Sequence, residues 1–306
     1  MHAAVLRYLL AVAKSGSIRS ASETLHVAGS AISRQIQKLE NELGTPLFDR
    51  TPKGLRLTPT GVLTLRHASE TLGNFELLKG ELGAQRGQQT GIVRIVALDS
   101  LFARLLPQEI LAFHAKHPGV EFHLMSGSPS VVTERVADGE ADIGITFKLP
   151  HPEDIDFIAD IPMPLMAMVS PTHPLAQATA TTLRDCAGYD LLLAFETEPI
   201  RTQIEIELSV FDRIGRILLR SNSSVLLRSV IASGAGVGFL TRLDVAEELQ
   251  QRTIVAVPLR DTRLKGLRLG LMVPRRRQLT HATRTMIEHL GNALRRIGKT
   301  LPTRPR

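Results

Sequence analysis

The apolar rhythm of this chain changes once, near residue 90, and that change limits its fold more than any other feature. Upstream, apolar residues recur every three or four positions, the spacing of helix faces. Downstream, short apolar-rich runs at 92–98, 120–125 and 141–147 alternate with helical patterns. Two rhythms within 306 residues imply two or three domains, each long enough to bury its own core.

Three short helices are predicted before residue 44. The first buries Val5, Leu6, Leu9, Leu10 and Ala13. Arg7 interrupts its apolar run and no Lys or Arg precedes it, the wrong charge order for an export signal, so the chain is expected to stay in the cytoplasm. The second helix starts at Ser17, an N-cap after Gly16, and runs to Leu25 with Ile18, Ala21 and Leu25 on one face. The third spans 29–43 and stops at Gly44. Its apolar positions Ile32, Ile36, Leu39 and Leu43 form one stripe, leaving Ser30, Ser33, Arg34 and Gln37 outward and Lys38 at the flank. Two helices around a short turn, the second with an exposed polar start, have the geometry of a helix-turn-helix.

Residues 47–50 and 55–57 pair as short strands about a turn at 51–54, making a basic-tipped wing. Thr58-Pro59 then launches a helix to Gln85. Leu65, Ala68, Leu72, Phe75, Lys79 and Leu82 give it a coiled-coil-like seam, interrupted at Lys79. A long helix with one apolar stripe and no domain around it points to pairing with a second copy of itself. Residues 87–91 read as a linker.

Beyond the linker, strands are predicted at 92–98, 120–125, 141–147, 163–169, 190–195, 215–220, 236–240, 254–259 and 267–273. Helices are predicted at 103–116, 131–138, 200–208, 224–233, 243–250 and 281–297. Repeated strand–helix–strand order means an α/β architecture with mainly parallel sheets. Residues 161–164 form a hinge candidate between two such halves, and 263–266 the return crossing.

Composition narrows the function classes. The chain has no run of about 18 apolar residues, so no membrane-spanning helix is expected. Cys186 is the single cysteine, which excludes an intramolecular disulfide, a two-cysteine redox switch within one chain and any multi-cysteine metal site. Residues 1–60 hold eight Lys or Arg against four acids, and 274–306 hold nine against Glu288 alone. The net charge is +7 overall, so the body at 61–273 comes to −5. A basic head on an acidic body suits a head that meets a polyanion. Enzyme signatures fail one by one. Gly127-Ser128-Pro129-Ser130 is no G-x-S-x-G elbow, and the glycines at 234, 236 and 238 lack dinucleotide-loop spacing. No phosphate-binding Walker run is present, and His114 and His117 lack a third metal ligand.

The stretches GSIRSASETLHVAGSAISRQIQKLENELGTPLFDRTPKGLRLTPTG, GIVRIVALDS, LPQEILAFHAKHPGVEFHL and VADGEADIGI together resemble the LysR-type transcriptional regulators over nearly the whole chain. The first stretch is long and specific; the others are weaker and fit the family's effector domain. The resemblance implies an α/β protein with a winged helix-turn-helix DNA-binding domain over 1–58 and a linker and dimerisation helix over 59–87. A two-lobed, periplasmic-binding-protein-like effector domain would follow over 91–306, lobe I being 91–161 with 268–300 and lobe II 162–267. It further implies a regulator rather than an enzyme, without a cofactor. Its partners would be double-stranded promoter DNA and a small-molecule effector, with RNA polymerase as a further contact. The chain would form a homodimer through the linker helix and a homotetramer from two dimers.

On that reading the third helix enters the major groove. Arg34 suits bidentate contact with guanine or a phosphate, and Ser30, Ser33 and Gln37 can reach bases or backbone. Lys38, Arg50, Thr51 and Lys53 suit phosphate or minor-groove contact. The family usually reads Ser-Gln where this chain has Ala28-Gly29. Loss of the cap serine is worth about 1 kcal/mol unless Ser30 takes over, and loss of the glutamine removes one route to reading adenine.

Ligands of open parallel sheets bind beyond the carboxyl ends of the strands. Asp99, Ser100 and Leu101 stand there after the first strand, Ser126 and Ser128 after the second, and Thr146 and Lys148 after the third. The second lobe offers Thr197, Arg201, Thr202 and Asn222-Ser223. Ser100 and Ser128 precede helices whose free N–H groups favour an anion, and Lys148 and Arg201 would supply counter-charge. The effector is therefore expected to be a small carboxylated metabolite.

Overall fold

Helices α1 (Ala3–Ser15), α2 (Ile18–Leu25) and α3 (Gly29–Leu43) open the chain in the computed structural model. It describes residues 3–52, 54–85, 90–148, 153–194, 204, 206–208, 216–261, 267–275 and 277–300, without the side chains of 76, 77, 79–81, 83–85 and 300. The Ser17 hydroxyl caps α2, and His26 and Gly44 end α2 and α3 in the left-handed region at φ 53° and 69°. Val12, Ala21, Ile32 and Ile36 are buried together where the three helices meet. The buried stripe of α1 is Val5, Leu6, Leu9 and Val12; Leu10 and Ala13 are only half-buried, so the expected face is rotated slightly. On α3 the stripe ends at Leu39, and Leu43 is 47% exposed because the last turn projects past its neighbours.

Strands β1 (Phe48–Thr51) and β2 (Gly54–Leu57) form the antiparallel wing. Leu55 N–H donates to Gly16 O at 2.8 Å, stitching the wing to the turn between α1 and α2. Glu40 on α3 accepts from Leu47 N–H at 2.7 Å, which sets where the wing begins. Helix α4 (Pro59–Gln85) starts from Thr58, whose hydroxyl accepts from Gly61 N–H and donates to Pro46 O. The first half of its apolar seam is covered by the same chain: Ala68 is buried, with Leu65 and Leu72 packed against α1 residues Val5, Leu6 and Leu9. Phe75, Leu78 and Leu82 further along are 47–50% exposed. Lys79 lies among the side chains outside the description.

The body follows as β3 (Gly91–Ala97), α5 (Leu105–His114), β4 (Val120–Ser126), α6 (Pro129–Ala137), β5 (Ile143–Phe147), β6 (Ile155–Pro162), β7 (Met166–Val169), α7 (Leu183–Cys186), β8 (Leu191–Ala194), β9 (Ile217–Ser221), α8 (Ser224–Ala232), β10 (Val237–Leu240), α9 (Ala246–Gln251), β11 (Val255–Pro258), β12 (Arg268–Pro274) and α10 (His281–Thr300). One five-stranded sheet has the order β4-β3-β5-β12-β6 and the other β11-β7-β10-β8-β9. Among the described residues, no helix is long and apolar enough to cross a membrane.

The sheets are mixed, not mainly parallel. In each, three neighbouring strands pair parallel and the remaining two join antiparallel. The reason is the path between lobes. The chain leaves the first sheet after Pro162 and re-enters at Arg268, which pairs opposite Pro162. A departing and a returning strand at one crossing must run in opposite directions. Strand β6 was not anticipated: Asp156 and Asp160 break its apolar run, and as an edge strand it leaves Ile158 51% exposed. The expected helix at 200–208 and the crossing at 263–266 fall largely or wholly outside the described residues. Helix α10 buries Ala282, Met286, Leu290 and Leu294 over the first sheet, a stripe of four-residue steps.

The start of α4 admits no side chain at residue 61. A Cβ there would lie 2.1 Å from Leu47 O and 3.0 Å from Leu57 Cδ2. Gly61→Ala should therefore destabilise the head by at least about 1–3 kcal/mol, measured by urea denaturation with hydrogen exchange reporting on α1–α4.

Candidate DNA-binding face and effector cleft

The carboxyl ends of strands from both sheets meet at one cleft. Leu98, Asp99, Ser100 and Phe147 come from the first lobe; Ala194, Ser221, Asn222 and Thr241 come from the second. They enclose a cavity of about 80 Å³, far below the roughly 300 Å³ of an ordinary ligand pocket. Two polar ties cross the cleft. Ser224 Oγ donates to Asp99 Oδ2 at 3.2 Å, and Arg104 Nη1 donates to Gln250 Oε1 at 3.0 Å.

Of the residues singled out from sequence, Ser100 and Asn222 line this cavity. Leu101 does not; it is 1% exposed in the core of the first lobe. Ser126 is the exposed last residue of β4, outside the lining. Ser128 caps α6, accepting from Val131 N–H at 3.4 Å, and the following Pro129 lines the cavity instead. Thr146 is fully buried, its hydroxyl without a hydrogen-bond partner among the described residues. Strand alternation explains the last case: Phe147 turns to the cleft, so Thr146 turns to the other face of the sheet. Arg201 and Thr202, with Thr197, lie outside the described residues.

Lys148 is not the expected counter-charge. Its ammonium pairs with Asp160 at 3.3 Å, beside the crossing between lobes. Arg268 grips the same carboxylate with two hydrogen bonds, at 2.8 and 3.0 Å. The Arg268 hydrogen bonds hold the Asp160 carboxyl below the usual range, with Lys148 adding to the effect. Ser221, Ser224, Thr241 and Asp244 are lining residues that sequence reasoning did not single out. Applying the strand-end rule to β9 and β10 would have reached Ser221 and Thr241. No group of three His, Cys, Asp or Glu among the described residues could hold a metal ion.

In the head, the buried face of α3 fixes what faces outward. Ser30, Arg34, Gln37 and Asn41 are all exposed and recur at the spacing of one stripe, opposite Ile32, Ile36 and Leu39. Asn41 extends the stripe beyond the residues picked from sequence; its spacing was the available signal. Ser33 is half-buried at the edge, and Lys38 is exposed at the flank. On the wing, Arg50 and Thr51 are exposed, with the Thr51 hydroxyl donated to Gly54 O at 2.8 Å. Lys53 lies outside the described residues.

The N-cap of α3 is Ala28, with no side-chain hydrogen bond, and Ser30 does not take over the role. The adjoining turn is held from α2 instead: Ser22 Oγ donates to Val27 O at 2.6 Å. A Cβ at Gly29 would meet only ordinary contacts, 3.5 Å to Ile18 Cγ2 and 3.8 Å to Ser22, so space does not demand glycine. Ala28→Ser should stabilise α3 by about 1 kcal/mol, read as about fivefold slower hydrogen exchange in its first turns.

Comparison with known proteins matches the two segments of the chain to known domains. The family profile described as "Bacterial regulatory helix-turn-helix protein, lysR family" matches residues 4–62, and that of the "LysR substrate binding domain" matches residues 86–295. The hydrogen peroxide-inducible genes activator of Pectobacterium carotovorum subsp. carotovorum is 27% identical over 254 residues, covering 83% of this chain and 84% of that protein. A full-length OxyR variant from Pseudomonas aeruginosa superposes with a TM-score of 0.70 at 21% identity, covering 96% of this chain and 95% of that one. Full-length CbnR complexed with its target DNA gives 0.59 at 21% identity, covering 96% and 100%. With the two profiles spanning most of its length, the chain belongs to the LysR family of bacterial transcriptional regulators.

Proposed function

We propose that α3 reads promoter DNA in the major groove and that a small molecule held between the lobes controls the outcome. The observation that carries this reading is the exposed polar stripe Ser30, Arg34, Gln37 and Asn41, on a helix inside the segment that matches the DNA-binding profile. Arg34 contacts guanine or a phosphate. Ser30, Ser33 and Gln37 reach bases or backbone, and Lys38, Arg50, Thr51 and Lys53 contact phosphates or the minor groove. With Ala28-Gly29 in place of a capping serine and a glutamine, more of the specificity falls to Ser33, Arg34 and DNA shape.

A packed path supports coupling of cleft to head. Helix α6 begins at Pro129 in the cleft lining and ends before Gly139, whose carbonyl accepts from Arg277 Nη1 at 2.5 Å. Arg277 also pairs with Asp142 at 3.2 Å, and its guanidinium lies so close to α4 that a Cβ at Gly73 would be 2.9 Å from it. A shift in lobe closure thereby reaches the linker helix. Phe75, Leu78 and Leu82, exposed on successive turns of α4, support a homodimer along that helix, two of which form a tetramer.

A small organic acid as effector draws on one specific feature. The serine-capped N-termini of α6 and α8 adjoin the cleft, with Pro129 and Ser224 in its lining, and such ends favour anions. Peroxide sensing, which the name of the Pectobacterium relative suggests, finds no matching chemistry here. Cys186 is fully buried, and burial pushes its thiol up to about 12.

Two measurements test these readings. Arg34→Ala should weaken binding to operator DNA by about 1–3 kcal/mol at fixed salt, followed by fluorescence anisotropy; unchanged affinity would remove α3 from the groove. The native protein at neutral pH should resist disulfide-exchange reagents and react once unfolded in urea, whereas fast reaction in the folded state would reinstate a thiol sensor.

A further inference from the structure

A second cavity lies away from the cleft, between the head and the first lobe, and cationic side chains line it from both sides. Its volume is about 630 Å³, the size of a small-molecule site. Arg7 and Lys14 of α1 stand on the head side. Arg94 of β3, His123 of β4, Arg135 of α6 and Arg277 after β12 stand on the side of the body. Arg7, Leu10, Ala11 and Lys14 all line the cavity, and their spacing makes them one stripe of α1, so both head cations belong to the same helix face.

Some of these charges are matched one to one. Arg135 pairs with Glu140 at 2.5 Å, and His123 Nε2 stands 2.6 Å from Glu121. Arg94 and Arg277 instead divide a single carboxylate. Asp142 Oδ2 accepts from the Arg94 backbone N–H at 2.9 Å and lies 3.7 Å from its guanidinium, while Arg277 Nη1 lies 3.2 Å from Oδ1. The Arg277 side chain is only 16% exposed, so water screens the surplus charge of this trio poorly. Arg7 and Lys14 are exposed, and neither makes a hydrogen bond or ion pair among the described residues. One charge from the Arg94–Arg277 pair and one each from Arg7 and Lys14 are therefore left facing a shared space. Their mutual repulsion is relieved by an anion that carries several charges at once, and guanidinium forks match phosphate oxygens in pairs.

We propose that this cavity is a second regulatory site, for a small molecule carrying two or more phosphates. The phosphates bridge the Arg7–Lys14 stripe of the head to Arg94 and Arg277 of the body. Arg277 already holds the Gly139 carbonyl and lies against α4 at Gly73. An occupant thereby clamps the head to the first lobe at the contact between α4 and the body, and it does so without entering the cleft.

The test is calorimetric titration of the full chain with inorganic triphosphate, orthophosphate and citrate at one fixed ionic strength. Triphosphate should bind most tightly. The double variant Arg7→Gln with Lys14→Gln alters the head wall, and His123→Glu, made separately, alters the body wall. Each should weaken triphosphate on the order of tenfold, with circular dichroism and unchanged melting temperatures confirming that both are folded. Arg34→Ala, on the DNA-reading face of α3, should leave triphosphate binding unchanged. If Arg34→Ala removes the binding, the anion sits on that face and the cavity is overturned, whatever the variant does to operator affinity. Weakening by one wall variant alone overturns the bridging site. Citrate binding in preference to triphosphate overturns the phosphate class, and failure of triphosphate to bind overturns the proposal as a whole.

Discussion

The body of this protein depends on one long-range pairing, the insertion of β12 between β5 and β6. Arg268–Pro274 pairs antiparallel with both neighbours, Leu269 to Leu271 opposite Ile145 to Phe147 on one side and Ala159 to Ile161 on the other. All but its first residue are buried. More than a hundred residues separate β12 from its partners, and the whole second lobe is the loop between β6 and β12. That pairing brings Lys148 N–H to Arg268 O at 2.7 Å and Met163 N–H to Leu267 O at 2.9 Å, so both crossings lie side by side. The Asp160–Arg268 pair braces the same spot. With the crossings pinned together, the strand ends of both sheets have to face one another, and the cleft follows.

In the head the corresponding constraint is the Leu47 carbonyl. It accepts from Thr58 N–H at 3.0 Å, and the first turn of α4 packs so tightly against it that residue 61 has no room for a side chain. The wing and the linker helix thereby share one anchor, while Glu40 ties the start of the wing to α3. The exposed stripe of α3 and the wing are consequently tied to the base of α4. Further along that helix Phe75, Leu78 and Leu82 are 47–50% exposed.

Legibility in the sequence followed the range of the interactions. Ser17, Gly44 and Thr58-Pro59 mark helix ends through contacts within a few residues, and the helices begin and stop there. The periodicity of Ile32, Ile36 and Leu39 marked the outward face of α3, and it was misleading only at Leu43, where the neighbouring helices no longer reach. Strand β6 was invisible because its partner lies across the entire second lobe and its edge position tolerates Asp156, Ile158 and Asp160. In the cleft, strand ends located Ser100 and Asn222, but Thr146 and Phe147 differ by one residue and face opposite sides of a sheet. Nothing local to Lys148 says that its charge is spent on Asp160.

The sequence by itself determined the family, the two-part organisation, the helix-turn-helix with its exposed Arg34, and the absence of any intrachain disulfide. Each rests on local pattern or on composition, which a linear reading contains in full. Only the tertiary structure decided the mixed strand directions, the cleft that strand ends of both sheets share, and the pairing of Asp99 with the first turn of α8. Asp99 and Ser224 are 125 residues apart, and two such groups meet only because folding two sheets around one crossing puts their strand ends face to face.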